Sequence, residues 1–399
     1  MKTVAEPQRS RKSAALWSLG FRPFFLAASA WAVAAIAVWP PFFTGDLVIP
    51  TAFSPVDWHV HEMIYGYGSA VVAGFLLTAI PNWTGRPPVV GRPLALLVGL
   101  WGMGRIAVFF SAAMGWLLAA SLDAAFLVIF AVVAAREIFA ARSLRNLKVV
   151  VLVLALAVAN ACFHAEAAER GTATISTRAG LSVIVFLILL IGGRVVPSFT
   201  QNWFARKNIA TRPAPFGKPD GAVMFFSAVA LALWVADPDR SATGALLLAA
   251  GAANLWRLSR WRGWATWPDR LVLVLHVGFF LASLGFLCAG AHALKPELVS
   301  SAAAAHVWGV GAIGAMTLAM MSRATLGHTG RALVASPATQ LIYLGVIASM
   351  AARVAMEFLP ALAAPMMYGA AIAWIGAFAG FLAVYGRMLA GPKRPQPGR

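Results

Sequence analysis

Seven histidines carry most of the chemistry this sequence can offer: His59, His61, His164, His276, His292, His306 and His328. They stand among long apolar runs from which carboxylates are nearly absent, an arrangement poor in the acids that a proton-relay pump or sugar symporter needs. Neutral imidazoles in a hydrophobic bundle instead suit haem iron or copper. His59 and His61 fall in Trp58-His59-Val60-His61-Glu62-Met63. In a helix, side chains two residues apart point about 200° apart, so the two rings would serve different centres. In extended backbone both would face one side and could grip one ion. Asp57 and Glu62 are placed to accept the second ring N–H of these imidazoles. His276, in Leu275-His276-Val277-Gly278, and His306, in Ala305-His306-Val307-Trp308-Gly309, have small neighbours that leave room for a flat macrocycle. His164 and His292 stand near the ends of apolar runs and are candidates for copper alone.

Arg105 and Arg353 lie within apolar runs, where a guanidinium needs an anionic partner. Haem propionates, a substrate anion or, for Arg353, Glu357 one turn later would supply it. Arg323, His328 and Arg331 follow another run at its basic end. Cys162 and Cys288 are too few for a disulfide framework and read as small core residues. No phosphate-binding loop of the form G-x-x-x-x-G-K-[ST], no H-E-x-x-H and no C-x-x-C occurs, so ATP-driven transport and zinc proteolysis lose support.

The elements that must position these residues follow from composition. Of 399 residues 60% are hydrophobic and only 12% charged, with a mean hydropathy of +0.77. A soluble chain runs at about 25% charged, so a soluble enzyme and a disordered chain are excluded. A nucleic-acid binder is excluded too, despite the formal charge of +18. The apolar residues come in runs of about 20, the length that crosses a hydrocarbon core. Twelve spans are expected, near 22–43, 62–80, 93–114, 116–139, 148–168, 176–197, 219–236, 242–258, 268–291, 297–321, 336–358 and 361–390, the seventh and eighth being the shortest. The fold class is therefore all-α: a polytopic membrane protein forming one transmembrane domain over 1–399, with residues 1–21 and 391–399 as cytoplasmic end segments. The first apolar run continues to Phe43, too long for a signal peptide, and reads as an uncleaved helix. With both termini cytoplasmic, the outer segments hold only Arg170, Arg178, Arg240 and Lys295, and nearly all other basic residues fall inside. The net charge is thus read as a topology signal.

A faint repeat joins three spans. Pro81-Asn82-Trp83-Thr84-Gly85-Arg86, Asn202-Trp203-Phe204-Ala205-Arg206 and Gly327-His328-Thr329-Gly330-Arg331 close the second, sixth and tenth runs. That spacing suggests three sets of four helices.

The chain resembles the NnrS family of bacterial membrane proteins at Leu19-Gly20-Phe21-Arg22-Pro23-Phe24-Phe25, Trp58-His59-Val60-His61-Glu62-Met63, and Ala73-Gly74-Phe75-Leu76-Leu77-Thr78-Ala79-Ile80-Pro81-Asn82-Trp83-Thr84-Gly85. It does so again at Gly193-Arg194-Val195-Val196-Pro197-Ser198-Phe199 and from Met320 to Arg331. The resemblance implies a protein of the bacterial cytoplasmic (inner) membrane that contains haem, of the b type, and copper. It also implies association with nitric oxide and the nitrosative-stress response. By motif match it carries over His59, His61, His276, His306 and His328, with Arg105 and Arg323 completing the expected cofactor-binding set. His59, His61, His276 and His306 are the expected metal ligands. The expected partners are the lipid bilayer, nitric oxide or a related small ligand and a redox donor, with no nucleic acid. Two other readings stay open: a twelve-helix carrier for a small anion or metal complex, and a haem-based sensor or metal-delivery protein without turnover.

Overall fold

In lipid a backbone must satisfy its own hydrogen bonds, and apolar runs of this length do so as helices. A computed structural model describes residues 15–394. The end segments expected to be cytoplasmic lie largely outside the described residues. Each of the twelve expected runs forms a helix: α1 (Phe21–Thr44), α2 (Pro55–Thr84), α3 (Arg92–Phe109), α4 (Trp116–Ala140), α5 (Leu144–Arg170), α6 (Ile175–Arg206), α7 (Lys218–Ala236), α8 (Ser241–Ser259), α9 (Arg270–Leu294), α10 (Ser301–His328), α11 (Pro337–Phe358) and α12 (Pro360–Ala390). The described residues contain no strand. All of these helices except α8 are long and apolar enough to cross a membrane. The chain is an all-α, multi-pass membrane protein.

Helix α8 falls short because it carries polar side chains that are satisfied within the bundle. Asn254 Nδ2 donates to Ser227 Oγ (2.8 Å), and Arg257 Nε donates to Asp220 Oδ1 (3.2 Å), both acceptors lying on α7. The third run is also interrupted: α3 stops at Phe109 and a separate turn covers Ser111–Met114.

Three helices form the centre. Helices α2, α6 and α10 are each interrupted by a π-helical segment, at Glu62–Gly68, Ile188–Gly192 and Val307–Gly314. They are the same three whose ends carry the faint sequence repeat, spaced four helices apart. The first turns of all three line one cavity, so they run in the same direction. A π-segment widens a helix locally and re-aims its side chains, which is why such segments gather at functional sites. Burial is highest in α2, with 78% of its apolar stretch inside the bundle, and stands at 61% in α6 and 67% in both α10 and α9, against 22% in α11.

Small residues allow the close approaches, as expected where lipid tails are as apolar as the side chains they replace. Gly285 on α9 lies directly against the indole of Trp308 on α10, whose Nε1 donates to Ala282 O (2.9 Å). A Cβ at this glycine would overlap the indole. Gly285→Ala is therefore expected to cost about 1–3 kcal/mol through overpacking. Thermal unfolding in detergent checks this, and a variant that unfolds with the wild type would refute the contact.

Candidate metal and small-ligand site

Helix α2 starts sharply. Ser54 Oγ accepts the backbone N–H of Asp57 (3.1 Å), and Pro55 occupies the first helical position. The Trp58-His59-Val60-His61 stretch is therefore helical, and His59 and His61 point to opposite sides. The two sides have different chemistry.

His59 faces an apolar cavity of about 140 Å³ between the first turns of α2, α6 and α10 and the adjoining parts of α1, α11 and α12. His306 faces the same cavity from α10. The two imidazoles are nearly parallel, at 12°, with ring centres 6.3 Å apart. Trp39 packs on His59 at 4.4 Å and holds its ring. His306 Nδ1 donates to the carbonyl of Ala302 (2.6 Å), which fixes the tautomer and leaves Nε2 as the free lone pair. His59 Nδ1 is buried without a partner. Arg353 enters the cavity wall from α11; its Nη1 donates to Glu357 Oε1 (3.1 Å) while its buried Nε has no partner. Beyond, a separate apolar cavity of about 80 Å³ lies between α1, α2, α6 and α10. Ile313 lines both cavities, and the hydroxyls of Tyr67 in the first and Thr317 in the second are hydrogen-bonded at 2.5 Å.

The donors fit a bound metal. Both rings face one cavity with their centres 6.3 Å apart, and neutral imidazole nitrogens are donors that would hold haem iron or copper. Orphaned nitrogen atoms are costly in such an apolar wall, and His59 Nδ1 and Arg353 Nε would each gain from a ligand, the latter from a propionate-type anion. Gly309 adds room, since a Cβ built there has no neighbour within 4 Å.

His61 faces the other way, into a polar cluster with α3, α4 and α5. Its Nδ1 donates to Glu62 Oε1 (3.2 Å), and its Nε2 lies 2.9 Å from Asn160 Oδ1 and 3.1 Å from Asp123 Oδ2. His164 Nε2 lies 3.2 Å from the same Asp123 oxygen. Arg105 donates through Nη1 to Glu62 Oε2 (2.6 Å) and through Nη2 to Asp123 Oδ1. Trp31 Nε1 adds a bond to Glu62 Oε2 (2.6 Å).

The sequence-expected residues therefore divide. Of the seven, the structure brings His59 and His306 together, and it brings His61 and Arg105 together elsewhere. His276 stands apart from both: its Nε2 donates to Thr200 Oγ1 (2.8 Å), which in turn donates to Val196 O (2.9 Å). Its Nδ1 is buried, unpartnered, and pressed against the backbone at Gly263, where a Cβ would stand 2.5 Å away. His328 lies at the end of α10 remote from His306, against the ring of Phe21 (5.4 Å). Arg323 places its guanidinium 3.9 Å over the ring of Phe199, with Nη1 buried and unpartnered. His292 Nδ1 donates to Val299 O (2.8 Å) and closes a loop.

Two expectations are corrected. Carboxylates are not absent from the bundle interior: Glu62 is 0% and Asp123 2% exposed. Arg105 is therefore paired by protein carboxylates and has no need of a propionate or substrate anion. Of the two acids beside the histidine pair, only Glu62 orients an imidazole. Asp57 instead accepts from Ser54 Oγ, Thr172 Oγ1 and the N–H of Ala173, tying α2 to the loop after α5. Asp123, Asn160 and His164 were the residues that sequence reasoning undervalued. The available signal was a lone carboxylate inside an apolar run, which is costly unless it is used.

Comparison with curated proteins finds no match. The family model described as NnrS protein matches residues 15–393, nearly the whole chain and both clusters described above. The chain belongs to the NnrS family.

Proposed function

We propose that this protein is a metalloprotein of the bacterial inner membrane which binds or handles nitric oxide at the His59–His306 cavity, as part of the nitrosative-stress response of its family. The observation that carries the reading is the pair of parallel imidazoles 6.3 Å apart, with free ring nitrogens, in an otherwise apolar cavity. His59 and His306 would hold haem, of the b type, or copper, and Arg353 Nε would meet an anionic group of that cofactor. A metal held there supplies a coordination position for a small diatomic ligand. The protein's own part is twofold. Trp39 and the Ala302 carbonyl fix the two rings. The apolar walls exclude water and favour an uncharged gas. A second apolar cavity lies farther along α2, α6 and α10, with Ile313 in the wall of both. The strong bias of basic residues supports an orientation with both termini in the cytoplasm.

The carrier reading loses one of its two arginines, because Arg105 has carboxylate partners inside the bundle. A sensor or metal-delivery role shares the same centre and differs only in turnover.

Protein purified in detergent after expression with adequate iron and copper is expected to show a Soret band that shifts on addition of nitric oxide. His306→Ala should lower the haem-to-protein ratio at least two-fold while leaving the yield of folded protein unchanged. Wild-type protein free of both haem and copper would defeat the proposal. Product formation from nitric oxide separates enzyme from sensor.

A further inference from the structure

With His61 and His164 neutral, the cluster on the other face of α2 carries one negative charge that its own side chains leave unbalanced. Glu62 and Asp123 contribute two carboxylates and Arg105 one guanidinium, all at most 4% exposed. An uncompensated charge at such a depth is costly. The hydrogen bonding has a matching defect. His61 Nδ1 carries the proton that Glu62 accepts, so in neutral imidazole Nε2 presents a lone pair. That lone pair faces two further acceptors, Asn160 Oδ1 and Asp123 Oδ2. Asp123 Oδ2 already accepts from Asn160 Nδ2 (2.8 Å), and His164 Nε2 converges on it as well.

We propose that His61, His164 and Asp123 form a second metal site, distinct from the His59–His306 cavity, for a divalent first-row transition-metal ion. One atom from each residue lies within 4.8 Å of the others. The two nitrogen-to-carboxylate distances are 3.1 and 3.2 Å. An ion about 2.0–2.1 Å from each donor keeps neighbouring donors roughly 3.0–3.4 Å apart, the spacing at which Asp123 Oδ2 already stands from both imidazole nitrogens. Two imidazoles and one carboxylate are borderline donors that suit Zn²⁺, Fe²⁺ or Cu²⁺, with Cu²⁺ the strongest binder by the general affinity order. The surroundings are those of a ligated imidazole: Glu62 accepts from the far nitrogen of His61, and Arg105 and Trp31 in turn hold Glu62. Phe53, from the loop before α2, packs 5.2 Å from His61 and 5.1 Å from His164, closing the site on that side. The ion would more than offset the single excess negative charge and would fill the gap between opposed lone pairs. Helix α2 would then present one histidine to each of two centres.

The test uses full-length protein in detergent, stripped with a chelator, offered Cu²⁺ or Zn²⁺ alone, dialysed and analysed for metal per chain. The wild type is expected to retain one ion that His164→Gln retains at least ten-fold more weakly, and Cu²⁺-loaded wild type should show hyperfine coupling to two imidazole nitrogens by electron paramagnetic resonance. His306→Ala should keep this ion and its signal, whereas His164→Gln should keep the Soret band and its nitric oxide response. Failure of the cavity proposal and failure of this one are thereby separated. If His164→Gln does not fold, the wild-type spectrum and a rise in thermal stability on adding Zn²⁺ decide the matter. Equal retention in wild type and His164→Gln, or a wild type that holds no ion with a two-nitrogen signature, would overturn the site and leave His61 as a proton-carrying partner of Asp123.

Discussion

Asp123→Ala is expected to destabilise the protein by about 3–5 kcal/mol, the range for breaking a buried ion pair by removing one partner. The aspartate is the junction of four side chains. Its Oδ1 takes Arg105, and its Oδ2 takes Asn160 and stands beside both His61 and His164. Alanine would leave the guanidinium of Arg105 with Glu62 alone and would leave the Asn160 amide without its carboxylate acceptor. None of these groups can reach water, since His61 is 0%, Asn160 1% and His164 1% exposed. Neutralising the carboxylate in place should cost less, because Asp123→Asn keeps the size and one acceptor oxygen. The surroundings leave little space for rearrangement: a Cβ at Gly66 would stand 2.6 Å from Glu62 Oε2 and 2.8 Å from Arg105 Nη1. Yield of monodisperse protein and thermal unfolding in a fixed detergent measure the effect. An Asp123→Ala variant within about 1 kcal/mol of wild type would mean that the network does not contribute as its geometry requires.

Gly309→Leu is expected to weaken nitric oxide binding at least ten-fold while leaving the fold intact. The glycine lines the cavity beside His306, inside the π-segment of α10. Most buried glycines here are filled against neighbours, as Gly285 is against Trp308, but Gly309 has nothing within 4 Å of the position its Cβ would take. A leucine side chain can therefore enter the cavity without displacing the helices, and the volume it occupies is volume withdrawn from a ligand. The change leaves His59, His306 and Arg353 unaltered, so it separates occlusion from loss of the metal's holders. Titration of the optical spectrum with nitric oxide, together with an unfolding curve, reads both halves. Unchanged affinity in a folded Gly309→Leu protein would place the ligand outside this cavity.

The two predictions act on opposite faces of one helix, and the distinction was only half visible in the sequence. The spacing of His59 and His61 allowed two outcomes, one centre or two. The choice depended on whether the chain was already helical at Trp58. The cap at Ser54 and the proline that follows it decide this locally, and a two-residue step then sends the rings to different neighbours. His276 shows the reverse. Its small neighbours read as room for a macrocycle; Thr200 takes one ring nitrogen, and the other is buried without a partner beside Gly263, on the wall of a separate cavity. Small neighbours along a sequence do not say what packs against them from another helix.

What the sequence determined by itself was the architecture. An apolar chain in lipid has helices as its only way to satisfy its backbone from within, so hydropathy marks eleven of the twelve helices, all but the more polar α8. The faint repeat on the second, sixth and tenth runs also pointed to the right helices, which share a π-segment and form the centre. The tertiary structure alone decided the partners. Asp123, Asn160 and His164 meet His61 across intervals of 62, 99 and 103 residues, and His306 meets His59 across 247. Contacts at such separations come from how helices pack. Packing in a membrane is set by small residues and by the need of buried polar groups for one another, and neither leaves a periodic trace along the chain.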